Sequence, residues 1–263
     1  MHGSKIMNKW VRFEHDGDIH FGKIEQTHIT EYQGDMFNAN EPSGKTWSLD
    51  EVALLAPCDP AKIIALWNNF YALAEKQGNE IPEAPYYFLK PSSCVIGNGS
   101  PILPPTSYQG RIFYEGELGI VIGKKGKDIQ VSEAEEYIFG YTCVNDVTAM
   151  QLIHEKEAFS QWTRAKSFDT FGAIGPCIST LDKVEQLVVR TLVNGRERQN
   201  YPVADMIFSP AQQVSLLSAD MTLEPGDVIA CGTSLGAMPM KSNTKIEVII
   251  DGIGVLENTF SPG

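Results

Sequence analysis

Along this chain apolar and polar positions alternate in short runs broken by turn residues, and stretches with a 3.6-residue period are few and short. Residues 11–24, VRFEHDGDIHFGKI, give two alternating runs on either side of Asp16-Gly17, the signature of a two-residue hairpin. Turn residues at Gly34, Asn38, Asn40, Pro42 and Gly44 make residues 10–55 a small β module. LLAPCDP, Leu54 to Pro60, carries two prolines and reads as a linker, because neither a helix nor a strand interior accepts them. AKIIALW then predicts a buried strand. After Asn68 and Asn69, FYALAEKQG reads as a short helix with Gly78 just beyond its end. EIPEAPYYFLKPSS is broken by prolines and is expected to be loop with a short extended piece.

The strongest strand signal is RIFYEGELGIVIG, Arg111 to Gly123, which alternates first and then becomes continuously apolar. Glu115 and Glu117 stand two apart on it, and in a strand side chains at i and i+2 share a face. Two like charges so close should raise one pKa unless a cation lies between them. A second apolar strand, FGYTCVNDVTA, ends in an Asn-Asp turn at Asp146. Three carboxylates from two strands suggest a site for a hard cation, Mg²⁺, Mn²⁺ or Ca²⁺ rather than zinc. The plainer alternative is a solvated face, the usual fate of a Glu-x-Glu pair. Leu118, Ile120, Val121 and Ile122 directly after the pair place it at the lip of a core.

Between these strands, Ser132-Glu133-Ala134-Glu135 fits a capping box that opens a helix ending near Gly140. Residues 148–159 have a helical pattern, and WTRAKSFDTFGAIGP reads as loop with a short strand. The remainder alternates strand and turn, with a type I′ hairpin at Asn194-Gly195 and a helix after Ser209-Pro210. Strands dominate and helices are short, so the fold class is α+β and β-rich.

Composition narrows the function. A chain of 263 residues holds one large or two smaller domains. Its net charge of -12 argues against nucleic acid or an anionic membrane surface as partner. No apolar run approaches ~18 residues, so no membrane span is expected. MHGSKIMNKW lacks the apolar core of a secretory signal, and the residues before Met7 resemble a cloning remnant. Five scattered cysteines without a Cys-x-x-Cys fit a reduced, cytoplasmic setting and read as small hydrophobes.

Other candidates are weighed on their own residues. Gly232-Thr233-Ser234-Leu235-Gly236 matches the G-x-S-x-G elbow of serine hydrolases, but Pro239 follows soon and the last histidine, His154, lies upstream. It reads better as a glycine turn offering the Thr233 hydroxyl and N–H groups to an anion. Lys166 and Lys90 read on their own as surface lysines. His2, His15, His20 and His28 belong to the terminus or the first module, and His154 is expected to be exposed.

Taken in order, YEGELGIVIG, FGYTCVNDVTA, AKSFDTFGAIGP, TLEPGDVIACGT and DGIGVLENTF resemble the fumarylacetoacetate hydrolase (FAH) superfamily over roughly residues 60 to 260, and residues 10–55 resemble the small N-terminal domain of many bacterial members. The resemblance implies a small N-terminal β domain, 1–56, and a mixed β-roll/β-sandwich catalytic domain, 57–263, usually as a homodimer. It implies Mg²⁺ or Mn²⁺ on Glu115, Glu117 and Asp146, with Lys166, Thr233 and Gly232 contacting the substrate and Lys166 and Thr233 assisting catalysis. Substrates in such a family are 2-oxo acids or their enols. The reactions are C–C hydrolysis, decarboxylation or enol–keto isomerisation, as in 2-hydroxyhepta-2,4-diene-1,7-dioate isomerase-like proteins.

The chain departs from the family pattern at several places. Leu73 and Lys76 stand where hydrolytic members carry a water-activating His and Glu, Trp67 replaces a glycine, Met150 an arginine, and Ser234 the proline of a Gly-Thr-Pro turn. These changes favour decarboxylation or isomerisation over acylpyruvate-type hydrolysis, and leave open a relative that binds metal or 2-oxo acid without turnover. Trp67, Leu73 and Met150 also suggest a larger, less polar pocket.

Overall fold

The computed structural model describes residues 7–261; His2 and the segment before Met7 lie outside the described residues. Four strands open the chain, β1 (Lys9–His15), β2 (Asp18–Glu25), β3 (His28–Gly34) and β4 (Asn40–Ser48), each antiparallel to the next. Asp16 and Gly17 both have positive φ, 51° and 88°, as a type I′ turn requires. A short β5 (Ala53–Leu54) returns beside β1, so the expected linker begins with a pairing of its own.

The second part begins with β6 (Lys62–Trp67), α1 (Tyr71–Gln77) and β7 (Tyr86–Pro91). Gly78 caps α1 in the left-handed conformation, φ 69°, as its sequence predicts. The short pieces β8 (Val95–Ile96), β9 (Pro101–Ile102) and β10 (Phe113–Tyr114) lead to the central pair, β11 (Gly116–Ile122) and β12 (Ile138–Asp146). After these come α2 (Met150–Ile153), α3 (Trp162–Lys166), β13 (Gly172–Ser179), the hairpin β14 (Val188–Val193) and β15 (Arg196–Pro202), and α4 (Pro210–Asp220). The strands β16 (Val228–Ala230), β17 (Met238–Pro239), β18 (Thr244–Ile250) and β19 (Gly254–Phe260) complete the chain.

The main sheet runs β4-β3-β2-β1-β13-β12-β11-β16-β6-β7, and the second runs β15-β14-β18-β19-β9. The fold is thus β-rich α+β, with the N-terminal strands joined to the main sheet where β1 pairs with β13. Leu118 and Ile120 of β11 share a core cluster with Val189, Val248 and Leu256 of the second sheet. That contact is close. A Cβ on Gly116 would lie 2.1 Å from the Thr191 Oγ1 of β14, so only glycine fits between Glu115 and Glu117.

Four local expectations give way. The segment 80–93 contains a six-residue strand, β7, paired along its length with β6. The helix expected over 148–159 stops after Ile153, because the chain folds back and the Gln161 N–H donates to the Ile153 carbonyl. The expected capping box at Ser132 is not formed: residues Val131–Tyr137 wind as a 3₁₀ helix that starts from Gln130. WTRAKSFDTFGAIGP is helix α3 followed by an eight-residue strand, its buried positions satisfied by pairing with β12. The capping box at Ser209-Gln212 does form, with Pro210 in the first turn of α4.

Candidate active site

Antiparallel register explains why three acids meet. Gly116 lies opposite Asn145, so Glu115 at the entry to β11 faces Asp146 at the exit of β12. The Asp146 N–H donates to the Glu115 carbonyl at 2.8 Å, and the Asn145 Oδ1 accepts from the Glu115 N–H at 3.0 Å. Glu117 lies one pleat further along the same face. Carboxylate oxygens of Glu115, Glu117 and Asp146 all lie within 4.8 Å of one another, and all three residues are buried.

Two lysines enter this cluster, and both are buried, contrary to the surface placement their sequence suggests. Lys90, on β7, donates to the Asp146 Oδ1 at 2.6 Å and to the backbone carbonyl of Lys166. Lys166, at the end of α3, donates to the Glu115 Oε2 at 2.7 Å and to the Asp146 Oδ2. The Phe88 ring lies under the Lys166 ammonium at 4.9 Å. Among the described residues Glu117 has no ammonium partner within ion-pair distance; its Oε2 accepts from the Gly232 N–H at 2.9 Å.

The charges follow from this geometry. Burial, then Asp146, pushes the Glu117 carboxyl well above the usual carboxylate range. Burial likewise raises Glu115, partly offset by Lys166. Burial would raise Asp146 too, but Lys166 and Lys90 together hold it below its ordinary value. Burial disfavours the Lys166 ammonium, and Asp146 and Glu115 overcome this and raise it. Three acids therefore face two ammonium groups, with Glu117 left uncompensated. An all-carboxylate donor set with one excess negative charge fits a hard divalent cation held by Glu115, Glu117 and Asp146.

The backbone between the glutamates is fixed on both sides. The Gln199 Oε1 on β15 accepts from the Gly116 N–H at 3.0 Å, and the Gly116 carbonyl accepts from the hydroxyls of Thr233 and Tyr201. The Gln199 Nε2 donates to the Thr233 Oγ1 at 2.8 Å. The Thr233 proton is thus committed to Gly116, and the turn Gly232–Gly236 faces the site with its main chain. The Ser234 Oγ is buried and makes no hydrogen bond, and no helix follows it, so the turn is not a nucleophile elbow.

A cavity of about 300 Å³ opens over Glu115 and Lys166, its only titratable lining residues among the described residues. Its other walls include Leu73, Phe113, Met150 and Ile153, together with the turn from Thr233 to Ala237. A larger cleft of about 590 Å³ beside the start of α4 contains none of the clustered carboxylates and is set aside for that reason. Gln199 is not singled out by the sequence, and Lys90 is read there as a surface lysine. Their only signals were a lysine inside an apolar strand and a glutamine two residues before a buried tyrosine.

Known proteins resemble this chain over most of its length. The profile of the family "Fumarylacetoacetate (FAA) hydrolase C-terminal" matches residues 62–261, and that of "Rv2993c-like, N-terminal" matches residues 8–57. Oxaloacetate tautomerase YisK of Bacillus subtilis is 40% identical over 226 residues, 81% of this chain and 74% of that one. The structure of 2-hydroxyhepta-2,4-diene-1,7-dioate isomerase from Mycobacterium marinum superposes with a TM-score of 0.88 at 33% identity, covering 97% of this chain and 98% of that one. Maleylpyruvate hydrolase from Sphingobium sp. SYK-6, solved with manganese(II) and pyruvate, gives a TM-score of 0.78 at 25% identity, covering 97% and 99%.

Proposed function

The chain belongs to the fumarylacetoacetate hydrolase family, and from that premise we propose that it is a divalent-metal-dependent enzyme interconverting the enol and keto forms of a 2-oxo acid. The observation that carries this reading is the convergence of Glu115, Glu117, Asp146 and Lys166 under a cavity with no further titratable lining residue among the described residues. A tautomerase relative and an isomerase neighbour support the reaction class.

In this reading Glu115, Glu117 and Asp146 would hold Mg²⁺ or Mn²⁺, which would supply Lewis-acid stabilisation of negative charge developing on the substrate. Lys166 has three ammonium protons; two point at Glu115 and Asp146, leaving one for the substrate's developing oxyanion. Thr233 lines the cavity and Gly232, whose N–H holds Glu117, adjoins it; in this reading both contact the substrate through the turn. In tautomerisation the enol O–H bond breaks and a C–H bond forms at the adjacent carbon, so no co-reactant is required. Hydrolysis is the weaker reading, because Leu73 gives the cavity wall no base to activate water.

The same reading treats residues 1–56 and 57–263 as two domains, the family profiles parting between residues 57 and 62. It places the enzyme in the cytoplasm as a homodimer. All five cysteines are buried and unbridged, and no helix among the described residues is long and apolar enough to cross a membrane.

The test follows the enol band of oxaloacetate in the ultraviolet, with Mg²⁺ or EDTA, for the wild type and Glu117→Gln. We expect EDTA-sensitive conversion that the variant loses, together with its thermal stabilisation by Mg²⁺. Full activity in Glu117→Gln overturns the metal assignment. Release of CO₂ replaces tautomerisation with decarboxylation.

A further inference from the structure

A second cavity, about 410 Å³, adjoins the first and is walled by Trp67, Tyr86, Tyr87, Phe88, His154 and Trp162. Three of these, Trp67, Phe88 and Trp162, also line the cavity over Lys166, so the two spaces adjoin at a shared set of rings. The rings form one assembly. Phe88 stacks on Trp162 at 5.5 Å, Trp162 lies 5.7 Å from Trp67, and Trp67 lies 5.9 Å from Tyr86. Trp67 and Tyr86 remain 36% and 54% exposed, an apolar surface that burial in the fold has not used. Phe88 joins the two chemistries, with the Lys166 ammonium on its ring and Trp162 stacked against it.

We infer that the substrate is a 2-oxo acid with an aromatic or extended apolar tail, its head over Lys166 and its tail in the groove of Trp67, Tyr86, Phe88 and Trp162. The inference rests on the 2-oxo-acid reading above and narrows it. Among the described residues a second carboxylate on the substrate would meet no ammonium or guanidinium along this path beyond Lys166. Two Lys166 protons go to Glu115 and Asp146, and the third serves the head of the substrate. The neutral polar lining is Asn68, Gln77, Thr233 and Ser234, and the one basic group on the groove, His154, stands at its exposed outer rim. Placing a carboxylate against indole and phenyl faces without a cation is costly, whereas a planar arene gains contact on both sides. Met150 and Ile153, beside Trp162 in the inner cavity, extend the same apolar wall.

Calorimetry in excess Mg²⁺ compares pyruvate with phenylpyruvate, which share a head and charge and differ by the ring. Phenylpyruvate should bind at least about tenfold tighter, the scale on which an apolar pocket senses missing hydrocarbon. Trp67→Ser should lower that advantage about tenfold, and Tyr86→Ala should lower it less; both positions are exposed enough to be changed without unfolding the chain. In turnover, the ratio of kcat/KM for the phenylpyruvate enol over the oxaloacetate enol should exceed one and fall in Trp67→Ser. Equal binding of the two acids, a preference for oxaloacetate, or an advantage unchanged in both variants overturns the tail site while leaving the head chemistry standing. Failure of either acid to bind, with no turnover of any enol, overturns both readings together.

Discussion

Lys90→Met is the most informative single change, because it removes a charge from the buried cluster and keeps most of the side-chain volume. Lys90 is fully buried, and its ammonium is one of two that face Asp146. Removing it leaves three carboxylates facing Lys166 alone, and leaves the Lys166 carbonyl without that donor. Breaking one partner of a buried ion pair costs about 3–5 kcal/mol, since the remaining charge stays out of water. Some of this is relieved as Glu115 and Glu117 take up protons, so the lower end of that range is expected. For a chain of this length, that corresponds to a fall in Tm of roughly 10 °C. Urea unfolding in EDTA measures the loss directly. Repeating it in Mg²⁺ tests the cause, because a cation on the acids replaces the missing charge. The Mg²⁺-induced gain in stability should be larger in Lys90→Met than in the wild type. A loss below about 1 kcal/mol in EDTA would show that Lys90 is not holding the cluster together.

The remaining expectations concern the same site. Gln199→Leu leaves the Gly116 N–H unpartnered and frees Thr233 to turn, so stability should fall by about 1–3 kcal/mol and kcat by more than KM changes; unaltered kcat would dismiss the positioning role. Ser234→Ala should leave stability unchanged or higher, since the hydroxyl is buried without a partner, and the wild type should be indifferent to a serine-directed phosphonate. The pH dependence has a definite sign. Because the folded pKa of Glu117 is raised, its contribution to metal-free stability is present below the unfolded pKa and lost as pH rises through the folded one. Ionised Glu117 is the form that binds a cation, so stabilisation by Mg²⁺, followed by thermal unfolding, should still be growing as pH rises above the ordinary carboxylate range. Asp146, whose pKa is lowered, works in the opposite sense, its contribution disappearing as pH falls through its folded pKa.

What the sequence disclosed and what it hid divide along a physical line. The approach of Glu115, Glu117 and Asp146 was legible because it depends on strand periodicity and on two strands that are neighbours in the chain. The lysines were not legible from their own surroundings, and Lys166 entered only through the family resemblance. Lys90 and Lys166 meet Asp146 from 56 and 20 residues away, on a strand obscured by prolines and a helix of five residues. Gln199 reaches Gly116 from the second sheet, 83 residues away, and no local pattern announces a contact between sheets. The helix expected over 148–159 failed for a similar reason: its periodicity was sound, but the pairing of Gln161 with Ile153 set its end.

The outer edge of β13 is closed by two separate pieces of chain. β1 covers Ile178 and Ser179 at one end, and β8 covers Gly172 and Ala173 at the other. An uncovered strand of this kind offers its N–H and C=O groups to any passing strand and is a route to aggregation. The N-terminal strands therefore act as a guard against self-association as well as an appendage to the catalytic part. A shortened chain beginning after residue 57 would lose the β1 half of that guard, and its first failure would be clumping rather than loss of chemistry.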